Sequence, residues 1–292
     1  MHSKPGYIEG MRGVAVLVIC SFVLTSAIML ACARAGASAV LLFLNSASGI
    51  LYFPTVAGMF AALVLDRRRG ETSTRFALWA YIILPLSLMV LQPILLDLTT
   101  SAAARNIDHE LAHWDETLFG APAFVWSKFI WVNQWRMVVV SLWYASLPTM
   151  MAIGTATARR PSVAFAAYVA LGLGSGALYW CFPALGPAQA IEGFPWLGQV
   201  WLMTPQGVCN GFPSMHTAGA MVALFCAPRR LLPAWSIYAV GIVFCCVSTG
   251  QHWLVDCIAG VMLARVLVSA LSMAALTGWA APFLRPSGAA YR

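Results

Sequence analysis

HWLVDCIAGVMLARVLVSALSMAAL, residues 252–276, holds only one carboxylate and one arginine in an otherwise apolar run. About 20 apolar residues cross the hydrocarbon core of a bilayer as a helix, and a helix satisfies its own backbone groups there. Working outward, comparable runs lie at about 231–248, 213–227, 162–182, 136–157, 75–98, 37–65 and 13–33. Over the whole chain 61% of residues are hydrophobic and 9% charged, against about 25% charged in a soluble domain. A water-soluble fold is excluded. The expected class is all-α, a polytopic membrane helical bundle of about eight transmembrane helices.

The net charge of +7 does not point to nucleic acid, because the cations sit in short clusters between apolar runs and form no basic face. Membrane topology accounts for them. With the N-terminus inside, Lys4, Arg12, Arg67, Arg68, Arg69, Arg75, Arg159, Arg160, Arg229, Arg230, Arg265, Arg285 and Arg292 collect on the cytoplasmic side. Arg34, Arg105, Lys128 and Arg136 remain outside. The expectation is a multi-pass protein of the cell (inner) membrane with both termini cytoplasmic. Residues 1–33 also fit a signal peptide, with Ala31-Cys32-Ala33 as the small-residue stretch, although the apolar run is long for cleavage. The organisation expected is an N-terminal transmembrane hairpin over 1–74, a six-helix core over 75–276 and a cytoplasmic tail over 277–292.

Two outer segments, 99–135 and 183–212, are long enough to roof one cavity. The first mixes Asp108, Glu110, Asp115 and Glu116 with Trp126, Phe129, Trp131 and Trp135, which suits a helix lying along the interface with its acids and histidines facing water or headgroups. It also contains His109-Glu110-Leu111-Ala112-His113, a literal H-E-x-x-H. That is the zinc-peptidase pattern, but no third ligand follows at family spacing. No metal and no cofactor is expected. Most cysteines lie inside apolar helices, whereas Cys181 and Cys209 both fall near the outer face, where an oxidising compartment would allow a disulfide.

After Glu192 the sole carboxylate is Asp256, four residues beyond His252. At i and i+4 the two share a helix face. An ionisable residue within a membrane helix is functional by default, and a carboxylate that holds one imidazole nitrogen leaves the other nucleophilic. The bland alternative is a buried pair that satisfies only itself. Gly211-Phe212-Pro213-Ser214-Met215-His216 opens the sixth apolar segment. Pro213 suits a first helical turn, the amides of that turn, Met215 included, form a phosphate cradle, and Ser214 adds a hydroxyl. The alternative is a plain N-cap with a nearby histidine. The chain descends to Arg229 and Arg230 and climbs back to Ser248-Thr249-Gly250-Gln251, which returns His216 and His252 to one membrane face.

Pro213-Ser214-Met215-His216 and His252-Trp253-Leu254-Val255-Asp256 resemble the second and third signatures of the type 2 phosphatidic acid phosphatase superfamily. The flanking residues 211–218 and 250–256 look most like the branch that includes inositol phosphorylceramide synthases. The resemblance covers about the last six helices. It implies that His252 attacks phosphorus to form a phosphohistidine, that Asp256 orients it, and that His216 protonates the leaving oxygen. The family's basic signature, a Lys followed six residues later by Arg-Pro, is missing. Its place at the outer end of the fifth segment reads Tyr179-Trp180-Cys181-Phe182-Pro183, and Cys246 stands where an Arg precedes the nucleophile. A transferring phosphoryl group needs its charge neutralised, which leaves Arg136, Lys128 and Arg105 as the outer candidates, Arg136 first.

The function expected is a lipid-phosphate phosphatase of the membrane working at the extracytoplasmic face, with a lipid phosphate as partner. A lipid phosphotransferase of the inositol phosphorylceramide synthase type is the alternative, sharing the site but discharging to an alcohol. More remote are a membrane zinc metalloprotease and a non-catalytic transporter. For the transporter, polar sites at helix centres would be expected.

Overall fold

The computed structural model describes residues 106–194 and 211–276, and every regular element among them is helical. The helices expected at 13–33, 37–65 and 75–98, the tail from 277, and Cys209 lie outside the described residues. α1 (Asp108–Phe119) opens with Asp108 and Glu110 in its first turn, where negative charge favours the helix dipole. It closes on Gly120, left-handed at φ 70°, whose N–H reaches the Glu116 carbonyl. α2 (Pro122–Trp131) starts with proline. The Asn133 side chain caps α3 (Gln134–Ala145) by accepting from the Trp135 N–H at 2.8 Å.

The single helix expected at 136–157 is two. α3 and α4 (Leu147–Thr157) meet at a bend of 50°. At the bend the Ser146 hydroxyl lies 2.6 Å from the Trp143 carbonyl and 3.0 Å from the Tyr238 hydroxyl. Pro148, in the first turn of α4, has no N–H to carry the helix ladder back to the Tyr144 carbonyl and so breaks the helix here, with the Ser146 hydroxyl bonding its own backbone beside it. α5 (Pro161–Cys181) agrees with its expected span. A single turn, α6 (Pro187–Ala190), follows, then α7 (Met215–Cys226), a 3-10 turn at Arg229–Leu231, α8 (Leu232–Ser248) and α9 (Leu254–Leu276).

α7 is the central post, packed on α9, α8, α4 and α5. Its small residues permit this. Ala218, Gly219, Ala220 and Ala223 let neighbouring backbones approach closely, as small residues do at membrane helix interfaces. A Cβ on Gly154 of α4 would lie 2.9 Å from the Ala223 Cβ, and one on Gly260 of α9 would lie 2.5 Å from the Ser214 carbonyl oxygen. On one side Trp235, Tyr238 and Ile242 pack with Leu147. On the other Val222 joins Val163, Ala167, Leu171 and Val268.

Among the described residues three helical stretches are long and apolar enough to cross a membrane, Pro161–Cys181, Arg229–Ser248 and Leu254–Ala274, and the bent α3–α4 pair meets the same measure when its two halves are taken together. Their outward surface is apolar, with Leu173, Ile237, Val240, Met262, Val266 and Met273 all exposed. The chain is a membrane protein. α7, expected as a full span, has only 12 residues, about 18 Å of helix, against a hydrocarbon core of about 30 Å. At its C-terminal end the Arg159 backbone N–H and guanidinium donate to the Cys226 and Phe225 carbonyls at 2.8 and 3.2 Å, and the Arg265 guanidinium stands 5.4 Å from the Phe225 ring centre. Cations thus gather at one end of the post, and the two histidines belong to the other.

Candidate active site

The turn between α8 and α9 places His252. Gly250 adopts φ 70°, a left-handed conformation that glycine takes without strain. The amides of Gln251 and His252 both donate to the Cys246 carbonyl at 3.2 Å, which folds the chain back before α9 starts. The His252 ring is buried. Its Nδ1–H donates to the Gly211 carbonyl at 2.7 Å, and a carbonyl can only accept. That fixes the tautomer in the neutral ring and leaves Nε2 with its lone pair. Asp256 lies on the same face, as its spacing requires, but its Oδ2 is 3.7 Å from Nδ1, too far for a hydrogen bond. Oδ2 instead accepts from the Trp253 N–H at 2.8 Å, reaching back over the first turn of α9 in the manner of a capping box. Oδ1 is buried with no partner among the described residues. The expectation that Asp256 itself holds the tautomer is therefore corrected. A backbone carbonyl holds it, and the carboxylate is a close fixed charge.

Ser214 is the N-cap of α7, fully buried, and its hydroxyl accepts from the Thr217 N–H at 3.3 Å. Pro213 accordingly sits just before the cap. The Ser214 N–H donates to the Asp256 carbonyl at 3.1 Å. Ser214 thus uses its polar groups within the protein, and a phosphate would have to compete for them. His216 follows on the first turn of α7, its ring centre 5.9 Å from that of His252. The Tyr144 ring stacks on His216 at 4.0 Å between centres, with the Tyr144 hydroxyl 3.0 Å from Nδ1.

A family model described as PAP2 superfamily matches residues 109–270, more than half of the chain and the whole of this histidine pair. The chain belongs to the PAP2 superfamily. No curated protein and no solved structure matches it significantly. Members of the PAP2 superfamily are typically phosphatases or phosphotransferases, and membership supports an enzyme of that broad class acting on phosphate esters.

The two cations expected nearest this PAP2 site turn elsewhere. The Arg136 guanidinium donates to the Phe129 carbonyl at 2.9 Å and lies 4.1 Å from the Phe129 ring centre, while Lys128 lies 4.2 Å from the Phe124 ring centre. Both are exposed and neither contacts His216 or His252. Arg105 is outside the described residues. Cys246, at the position of the superfamily's usual arginine, is buried with its sulfur 3.9 Å from the Ser214 hydroxyl.

The roof departs most from expectation. The two outer segments do meet, through the Ile107 N–H donating to the Pro183 carbonyl at 2.9 Å, but the acids of α1 do not all face water. Asp108 is buried and accepts from the amides of Leu185 and Gly186 at 2.7 and 2.9 Å and from the Trp253 indole N–H at 3.0 Å. Asp115, also buried, accepts from the Leu254 and Val255 amides at 3.0 and 2.9 Å. These are the first two amides of α9, which a helix leaves unpaired. Burial raises the Asp115 carboxyl above the ordinary aspartate range, and the two amides work against that rise. α1 is thus clasped by two carboxylates to the three residues that follow His252, Trp253, Leu254 and Val255. His109 and His113 of the H-E-x-x-H run are exposed, and no group of three or more His, Cys, Asp or Glu is disposed to hold a metal among the described residues.

Proposed function

We propose that the chain is an integral membrane lipid-phosphate phosphatase that works through a phosphohistidine at His252. One observation carries this. His252 is held at Nδ1 by the Gly211 carbonyl, with His216 beside it at 5.9 Å between ring centres, so one histidine offers a lone pair next to another able to move a proton. The Nε2 lone pair of His252 attacks phosphorus as the ester P–O bond breaks, and His216 gives its proton to the departing oxygen. Water then attacks the phosphohistidine, giving its proton to His216 and releasing phosphate and the free His252 nitrogen.

The site lies at the opposite end of α7 from Arg159, Arg229 and Arg230, which supports an extracytoplasmic location under the positive-inside rule. A second reading is a lipid phosphotransferase, in which an alcohol replaces water in the second step. The inositol phosphorylceramide synthase-like residues at 211–218 and 250–256 favour it. Purified protein incubated with a panel of lipid phosphates, with and without inositol, separates the two through free phosphate and new lipid product. An acid-labile, base-stable label at residue 252 is expected in both cases. Full turnover by His252→Ala would falsify the mechanism.

A further inference from the structure

Building on the phosphoryl-transfer mechanism proposed above, we infer that Tyr144 is the positioning residue of His216, fixing which ring nitrogen carries the transferred proton. Nothing in the spacing of the two histidine motifs points to it, since 72 residues separate the pair. The contact is double. The phenol ring lies against the imidazole at 4.0 Å with 24° between planes, and the hydroxyl is 3.0 Å from Nδ1. Stacking restrains the ring plane. The hydroxyl distinguishes the two ring edges, because a flip of the imidazole would put a carbon where Nδ1 now stands.

Tyr144 owes its place to the bend that follows it. Pro148 in the first turn of α4 interrupts the helix ladder, and Ser146, bonded to the Trp143 carbonyl at 2.6 Å and facing the Tyr238 hydroxyl at 3.0 Å, pins the bend there, so that the last turn of α3 meets the first turn of α7. Among the described residues the Tyr144 hydroxyl has no hydrogen-bond partner besides His216.

Both histidines are then engaged at Nδ1, His252 by a carbonyl oxygen that can only accept and His216 by a phenol hydroxyl that accepts when the ring is charged. Each leaves Nε2 for chemistry. A bound phosphate favours the imidazolium form of His216, since a nearby opposite charge favours the charged state. Nδ1–H of that imidazolium donates to the Tyr144 oxygen, and Nε2–H goes to the leaving oxygen as the P–O bond breaks. A neutral imidazole remains, still bonded to Tyr144 through Nδ1–H, and its Nε2 is ready to take a proton from water or an alcohol in the second step.

The test exploits the leaving group. An alkyl phosphate releases a strongly basic oxygen that requires protonation, whereas p-nitrophenyl phosphate releases a weakly basic one that does not. Wild type, Tyr144→Phe and His216→Ala are compared on a dialkylglycerol phosphate and on p-nitrophenyl phosphate in the same micelles. Tyr144→Phe keeps the stack and loses one hydrogen bond. Its kcat on the alkyl substrate should fall about ten-fold further than its kcat on the aryl substrate, the factor of one ordinary hydrogen bond, with KM for both near the wild-type value. Turnover on the aryl substrate also reports that the variant is folded. Equal losses on the two substrates, or no loss on either, would overturn the role given to Tyr144. His216→Ala serves as the reference. If it shows no leaving-group selectivity, the proton-donor role of His216 fails; if it does and Tyr144→Phe does not, the Tyr144 inference alone fails.

Discussion

Replacing Asp108 should damage both stability and turnover, although it lies 145 residues from Trp253, its partner beside His252. Its carboxylate receives three N–H groups at 2.7, 2.9 and 3.0 Å. Hydrogen bonds to a charged group contribute about 1.5–3 kcal/mol each, partly offset by the desolvation of a buried carboxylate. In Asp108→Ala three donors lose their acceptor at once, and removal of one partner from a buried charged network costs about 3–5 kcal/mol. Asp108→Asn keeps one acceptor oxygen and points an NH2 at a donor, for about 2 kcal/mol. At about 2–4 °C per kcal/mol for a domain of this size, the midpoint should drop by about 4–8 °C for Asn and further for Ala. Thermal unfolding in detergent micelles measures this, with kcat recorded on the same samples, since the clasp ends on the neighbour of His252. His109→Ala, an exposed position one residue along α1, is the control and should leave the midpoint within about 1 °C. A midpoint for Asp108→Ala that matches this control would refute the clasp.

Three further outcomes follow from the same geometry. Gly260→Ala should lower the melting midpoint and cut kcat at least ten-fold, because its Cβ would meet the Ser214 carbonyl at 2.5 Å and push α9 off the N-cap of α7; a variant with wild-type values would show that the interface yields freely. Asp256→Asn should reduce kcat about a hundred-fold with little change in melting midpoint, since a charge pair at this distance is worth a few kcal/mol at an effective dielectric near 20, whereas the Gly211 carbonyl still holds the tautomer; a wild-type rate would remove Asp256 from the chemistry. Asp115 gives a pH signature of definite sign. Burial raises its folded carboxyl, so its contribution to stability is full below about pH 4 and is lost as pH rises through the raised value. The midpoint of Asp115→Asn should therefore gain on that of wild type with rising pH, and an opposite slope would contradict the raised carboxyl.

Much of the site's outline is legible in one dimension because it rests on local periodicity and on the hairpin return of the chain. The i, i+4 spacing of His252 and Asp256, the apolar runs of α5, α8 and α9, and the placing of Ser214 at a helix start all depend on residues close in sequence. The groups that hold the site together do not. Gly211 acts through its backbone carbonyl, an acceptor every residue possesses, so no residue type advertises it. Asp115 and Leu254 are 139 residues apart, and nothing in an amphipathic 12-residue helix tells which acid faces inward. Tyr144 reads as one more aromatic in an apolar run, and the bend that aims it rests on Pro148, a residue that membrane helices tolerate without ending. The H-E-x-x-H run shows the converse, a conspicuous pattern whose two histidines are exposed while the acids on either side of it are buried.

The shortness of α7 sets the depth at which a substrate must be met. On this 12-residue helix His216 stands only about 15 Å from the arginine-bearing end, and Tyr144, against His216, lies eight residues down α3 from Arg136, about 12 Å of helix. Measured along the two helices these distances come to about 27 Å, close to a hydrocarbon core of about 30 Å. A membrane bounded by those two arginine levels would place the histidines somewhat less than half of the way in from the Arg136 side. A phosphate drawn to that level leaves its headgroup plane, and the lipid surface beside α7 must dimple or admit water to follow it. Such mismatch costs fractions of a kcal/mol per Å, so the thickness of the host membrane becomes a determinant of rate, with thinner bilayers bringing substrate and site together more readily.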